Sequence, residues 1–283
     1  MYVALLGPAP GGGAARAAGG RAARGGHTEV VAALRDTLVG HDLLCLGDTA
    51  RVPYGTRSPR TVRRYSLRVA SWLAQQGADA LVVACNTATT HALPALIEAG
   101  QTSGIPVFGV VEPGVAAALH THRTGDIAVL GTEGTISGGA YQDQIAQVAP
   151  NTVVHAVACP LFVPLVEEGW TDGEVPRHVA EHYLGHLRGR VDTAILACTH
   201  SPLLREVISE VWPEVTLVDA FDITTWEPIQ SFYGMHIEYD IEAGVLEMNM
   251  TNKIESLFND LHPTLGQQIN GNAKVPLKGG DYA

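Results

Sequence analysis

The sequence predicts an α/β protein of two similar lobes, each a mostly parallel sheet flanked by helices, with its ligand cleft between the lobes. Three observations carry this reading. Between residues 28 and 220, short runs rich in Val, Ile and Leu alternate with helical patterns, as parallel strands joined by crossover helices do. The runs are apolar on both faces, which suits a sheet covered on both sides. Two of them, Ala80-Leu-Val-Val-Ala-Cys85-Asn-Thr87 and Thr193-Ala-Ile-Leu-Ala-Cys198-Thr-His200, end alike in a cysteine, hydroxyl-bearing residues and a helix, 113 residues apart.

In chain order, strands are expected at 43–46, 80–84, 107–111, 127–130, 152–156, 193–197 and 216–218. Helices are expected at 28–38, 59–76, 90–99, 138–148, 176–187 and 202–211, several opening on a proline at the tolerated first-turn position. Residues 1–27 contain three arginines and no acid, and 8–26 are almost wholly Gly, Ala, Pro and Arg, a composition that cannot bury a core. From 28 to 220 there are 12 Arg, 20 acidic residues and no Lys, whereas all three lysines, three of four Met and five of seven Asn lie beyond. The domain reading is therefore an atypical N-terminus over 1–27, lobe 1 over 28–108, lobe 2 over 109–220 and an unrelated tail over 221–283. Within that tail, 232–240 and 244–248 alternate as a β-hairpin does, and 270–283 read as disordered.

The chain has 283 residues, a formal charge of −11 and 46% hydrophobic residues, enough apolar material for one large or two modest cores. No run approaches the roughly 18 apolar residues of a membrane span, and Val3 to Leu6 is too short for a secretory core. The acidic balance argues against nucleic acid, which would demand a clustered basic face. Four cysteines without a CxxC pair do not make a disulfide framework. These features imply a cytoplasmic protein with a small-molecule partner. Pyridoxal phosphate would need a lysine where the first 220 residues have none, there is no Walker-type loop, and the 12 histidines include no HExxH. No cofactor and no metal are expected.

Cys45 and Cys159 read as structural: Cys45 lies inside an apolar run, and Cys159 precedes Pro160 without a neighbouring acid or base. Cys85 and Cys198 differ, because a strand-to-helix turn exposes the sulfur and helix N-terminal amides favour its thiolate. Two thiols facing each other across a cleft suit inversion of a carbon centre. One takes a proton from one face and the other delivers a proton to the opposite face.

The blocks Gly47-Asp-Thr-Ala-Arg-Val-Pro-Tyr54-Gly55, Val83-Ala-Cys85-Asn86-Thr87-Ala, Gly131-Thr132-Glu-Gly-Thr135, Cys159-Pro-Leu-Phe-Val-Pro-Leu-Val-Glu167-Glu-Gly and Ala197-Cys198-Thr199-His200-Ser-Pro resemble, in order, those of the cofactor-independent glutamate racemases of the aspartate/glutamate racemase superfamily. The resemblance spans about residues 28–220. It implies that Cys85 and Cys198 are the acid/base thiols interconverting L- and D-glutamate for peptidoglycan precursor supply, with His200 and Glu167 assisting Cys198. It further implies that Tyr54, Gly55, Asn86, Thr87, Thr132, Thr135, Thr199 and His200 hold the amino acid, and it leaves room for a homodimer. Asp48 and Arg51 could serve as charged substrate ligands, but a turn and a local ion pair explain them equally well, and they are left out of the site; His91 is read as solvated or packing, and Glu168, Asp172 and Glu174 as a solvated loop.

The ends depart from that family, which opens with a strand followed by Asp-Ser-Gly-x-Gly-Gly. Aligned on Val3 to Leu6, the Asp and Ser positions become Gly7 and Pro8; aligned backwards from Thr28, the Asp position becomes Arg21. Either way Cys85 loses a carboxylate neighbour, and impaired racemisation is expected. The tail loosely resembles a segment of copia-type retroelement polymerase without its catalytic aspartates, which implies no polymerase activity; a fused gene would explain both ends. The alternatives are a racemase of aspartate or another acid, and a catalytically dead binding or regulatory relative.

Overall fold

The computed structural model describes residues 2–8, 15–18, 34, 41–123 and 125–219, together with the strand residues 236–240 and 245–249. Contacts divide the chain into two units, Met1–Asp222 and Ile223–Ala283. Among the described residues of the first unit there are two sheets. One has the order β2-β3-β1-β4-β5, built from β1 (Tyr2–Pro8), β2 (Ala15–Ala18), β3 (His41–Leu46), β4 (Ala80–Val83) and β5 (Val107–Gly109). The other has the order β7-β6-β8-β9, built from β6 (Asp126–Gly131), β7 (Val154–Ala158), β8 (Val191–Ala197) and β9 (Thr216–Asp219), with every pairing parallel.

The second sheet explains why its strands lack alternation in sequence. Ala128 and Leu130 enter one core cluster with Phe162, Leu184 and Trp212, while their neighbours Ile127 and Val129 enter another with Val115, Tyr141 and Ile145. Both faces are buried, so both need apolar residues. The helices that cover them are α3 (Val111–Thr121) and α5 (Ala140–Val148) on one side, and α7 (Glu174–Leu184) and α8 (Arg205–Val211) on the other. Two short helices, α4 (Glu133–Ser137) and α6 (Phe162–Glu167), follow β6 and β7.

The first sheet packs on α1 (Pro59–Gln75) and α2 (Asn86–Ser103). Ser58 caps α1 by accepting the Thr61 amide at 3.3 Å, Pro59 occupies the first turn, and Val62, Ser66, Val69 and Leu73 line its buried stripe. Helix α2 ends on Gly104, whose φ of 72° is the left-handed conformation that glycine adopts freely.

Several expectations need correction. The run 107–111 stops being a strand at Gly109, and Val111–Thr121 is a helix; Val111, Val115 and Ala118 recur at helical spacing and bury against the second sheet. Helix α2 begins directly after Cys85 rather than at residue 90. The Gly/Ala/Arg-rich stretch contributes Ala15–Ala18, paired in parallel with β3 through backbone bonds that ask little of side chains. Strand β1 runs antiparallel to both β3 and β4, against the prevailing direction of its sheet. The helix expected at 28–38 lies outside the described residues apart from Leu34, as do Arg21 and the segment 270–283.

In the second unit, β10 (His236–Asp240) pairs antiparallel with β11 (Val245–Asn249). Among the described residues, no helix is long and apolar enough to cross a membrane.

Leu130 is fully buried in the larger cluster of the second sheet. Leu130→Ala should lower unfolding stability by about 2–5 kcal/mol in urea titration; an unchanged midpoint would contradict the packing described.

Candidate active site

Strands β4 and β8 each deliver a cysteine at the carboxyl end, and both cysteines line one cavity of about 600 Å³. Cys85 is the N-cap of α2, with extended backbone (φ −108°, ψ 121°). Cys198 follows β8 and precedes the 3-10 helix Ser201–Leu204. Parallel strands with helices after them place these ends together, as ligand sites of α/β sheets require.

Around Cys198 the chemistry is explicit. His200 Nδ1 lies 3.8 Å from the sulfur, and its Nε2 lies 2.6 Å from Glu167 Oε1. With the Nε2 proton donated to the carboxylate, Nδ1 presents its lone pair to the thiol. Burial pushes the Cys198 thiol up to about 11 and the Cys85 charge adds to the rise, while the His200 and Ser201 amides and the Ser201 hydroxyl oppose it. Burial wins, so Cys198 is a protonated donor at neutral pH.

The seam between the lobes is a hydroxyl cluster. Thr87 Oγ1 lies 2.9 Å from Thr132 Oγ1 and 3.1 Å from Thr135 Oγ1. Thr132 caps α4 by accepting the Thr135 amide. The Gly134 amide donates to the Gly55 carbonyl at 2.8 Å. A Cβ on Gly55 would stand 2.5 Å from Thr132 Cβ, so only glycine allows this approach.

Of the residues singled out in sequence, Cys85, Cys198, His200, Glu167, Tyr54, Gly55, Thr87, Thr132 and Thr199 line the cavity. Asn86 and Thr135 do not; they stand behind its wall. Asn86 is buried, its Oδ1 accepts the Tyr141 hydroxyl at 2.6 Å, and its Nδ2 has no hydrogen-bond partner among the described residues. Cys45 and Cys159 stay outside the cavity, the latter buried, and Glu168, Asp172 and Glu174 are exposed.

Sequence reasoning weighed Asp48 as a charged ligand and left it out of the site. Its ion pair with Arg51, at 3.1 Å, is the local one expected, but the carboxylate also lines the cavity and accepts the Tyr54 hydroxyl at 2.5 Å. Burial, Tyr2 and Asp48 together raise the Tyr54 hydroxyl far above the ordinary tyrosine value. Because β1 runs antiparallel, Tyr2 rather than Gly7 or Pro8 pairs beside Val83, near Cys85. The sequence could not decide the role of Asp48, because a turn with Arg51 three residues on accounts for its charge equally well.

Iodoacetamide alkylation of Cys198 should rise about tenfold per unit between roughly pH 8 and 10, since only the thiolate reacts. A plateau already reached below about pH 8, read by peptide mass spectrometry, would contradict the burial-raised thiol.

The sequence profile of the family described as Asp/Glu/Hydantoin racemase matches residues 28–227. Glutamate racemase of Aquifex aeolicus is 43% identical over 87% of this chain and 92% of its own length. That of Geobacter metallireducens is 54% identical over 65% of this chain and 67% of its own. The crystal structure of Francisella tularensis glutamate racemase in complex with D-glutamate superimposes with a TM-score of 0.64 at 32% identity, covering 74% of this chain and 75% of that one. Profile, identity and fold agree across both lobes, and the chain belongs to the Asp/Glu/hydantoin racemase family of isomerases, among the glutamate racemases.

Proposed function

We propose that this chain interconverts L- and D-glutamate in the cytoplasm by proton transfer between two thiols, supplying D-glutamate for peptidoglycan precursors. The observation that carries the reading is the meeting of Cys85 and Cys198 in one cavity, one from each sheet. As thiolate, either cysteine takes the α-proton; the other, as thiol, protonates the opposite face of the planar carbanion. The His200–Glu167 pair serves Cys198 by holding and returning its proton. Lobe 1 over 28–108 supplies Cys85, and lobe 2 over 109–220 supplies Cys198.

Cationic side chains are absent from the described lining of the cavity, so substrate carboxylates are held by neutral donors: the hydroxyls of Thr87, Thr132 and Thr199 and backbone amides near Gly55, with Asn86 buried behind them. Thr135 holds that set in place. The glutamate assignment rests on the relatives, whose names specify that amino acid, and on the D-glutamate held by the Francisella protein. The retention of both thiols and the His200–Glu167 pair favours an active enzyme over a silent relative. The rate is reduced, because no carboxylate of β1 stands beside Cys85.

The test is chiral analysis of product from L-glutamate, with L-aspartate in parallel. Glutamate should racemise, and Cys85→Ser and Cys198→Ser should each lower the rate by about 10²- to 10⁴-fold with the fold retained by circular dichroism. Turnover of aspartate in preference to glutamate would replace the substrate. Glutamate binding without turnover would replace the enzyme by a binding protein. Glu167→Gln should slow racemisation less than Cys198→Ser does, about 10- to 100-fold, because it disturbs His200 and leaves both thiols; an unchanged rate would remove the pair from the mechanism.

A further inference from the structure

If the substrate is glutamate, as proposed above, the charges around the cavity leave its ammonium to be accounted for. The described lining carries three carboxylates, Asp48, Glu133 and Glu167. Two substrate carboxylates gain nothing from these groups, whereas an ammonium does. Glu167 already accepts His200 Nε2. Glu133 is exposed in the first turn of α4, an end of the helix that favours a solvated carboxylate without a partner.

Asp48 is different. Its side chain is only 9% exposed. Both its hydrogen bonds, from Tyr54 Oη at 2.5 Å and from Arg51 Nη1 at 3.1 Å, fall on Oδ2, and none among the described residues reaches Oδ1. Arg51 stands half-exposed, its guanidinium 5.1 Å from the Tyr65 ring centroid, so it balances the carboxylate through a partly aqueous path. Tyr54 gives its one proton to Asp48 and has the Tyr2 hydroxyl beside it, so what its oxygen offers a ligand is a lone pair. Asp48 follows β3 and Cys85 follows β4, the two strands that flank β1 in the first sheet, and both line the cavity, which puts this carboxylate on the Cys85 side.

We propose that Asp48 Oδ1 and a lone pair of Tyr54 Oη form the acceptor pair for the substrate ammonium, anchoring the α-carbon on the Cys85 side. Asp48 is then a binding residue that discriminates amino acids from simple dicarboxylates. A dicarboxylate without the ammonium would meet the same neutral donors and leave Asp48 unpaired on that side.

Calorimetric titration with D-glutamate and with glutarate, which keeps both carboxylates and lacks the ammonium, separates these contributions. The native chain should prefer glutamate. Asp48→Asn should reduce that preference by about 10- to 100-fold, the range for a charged hydrogen bond, with glutarate affinity unchanged. A preserved preference, or an equal loss for both ligands, would overturn the proposal while leaving the racemase reading intact. If the native chain fails to bind glutamate, the substrate reading itself falls. Should Asp48→Asn not fold, Tyr54→Phe removes the other acceptor and should lower the same preference about 3- to 10-fold; no change would overturn the proposal.

Discussion

The bond from the Gly134 amide to the Gly55 carbonyl, reinforced by the Thr87, Thr132 and Thr135 hydroxyls, fixes how closely the two lobes approach. Everything at the site depends on that approach. Each thiol is rigidly placed by its own strand and helix, but neither lobe contains both. The cavity exists because a loop after β3 reaches across to the N-terminus of α4, where a side chain on Gly55 would collide with Thr132. A seam of small residues and short hydroxyls therefore sets the separation of two reactive sulfurs. It does so with hydrogen bonds that are largely buried, where they are worth most.

The electrostatics follow from the same construction. Cys198 sits at the buried end of β8, where desolvation outweighs the amides directed at it and keeps the thiol protonated. Its partner His200 is held by Glu167 from α6, a helix of the same lobe. On the other wall, Asp48 and Tyr54 line the cavity with Cys85, and Tyr2 pairs beside Val83 behind them. The two walls are chemically unequal although their strand-turn-helix plans match. Such inequality suits a reaction in which one face gives up a proton as the other receives one.

Much of this was legible in the sequence. The repeated strand-Cys-helix plan announced both sulfurs, and the apolar runs announced strands covered on both faces. What stayed hidden was set by tertiary contacts. Val107 to Val111 reads as one apolar run, and only the packing of Val111, Val115 and Ala118 on the second sheet makes its end helical. The direction of β1 depends on pairing with β3 and β4, which leaves no local mark. Asp48 has Arg51 three residues away, so a local ion pair satisfied the sequence; the fold adds Tyr54 and the cavity. Asn86 and Thr135, expected among the residues that hold the substrate, stand one layer behind the cavity's surface.

The most direct test of two thiols acting on opposite faces is the isotope content of substrate and product early in turnover in deuterated water. With separate donors, D-glutamate formed from L-glutamate carries deuterium at the α-carbon from the first turnovers, while recovered L-glutamate carries almost none. Equal early labelling of both enantiomers would mean a single group serving both faces, and would contradict the placement of Cys85 and Cys198 as the reacting pair.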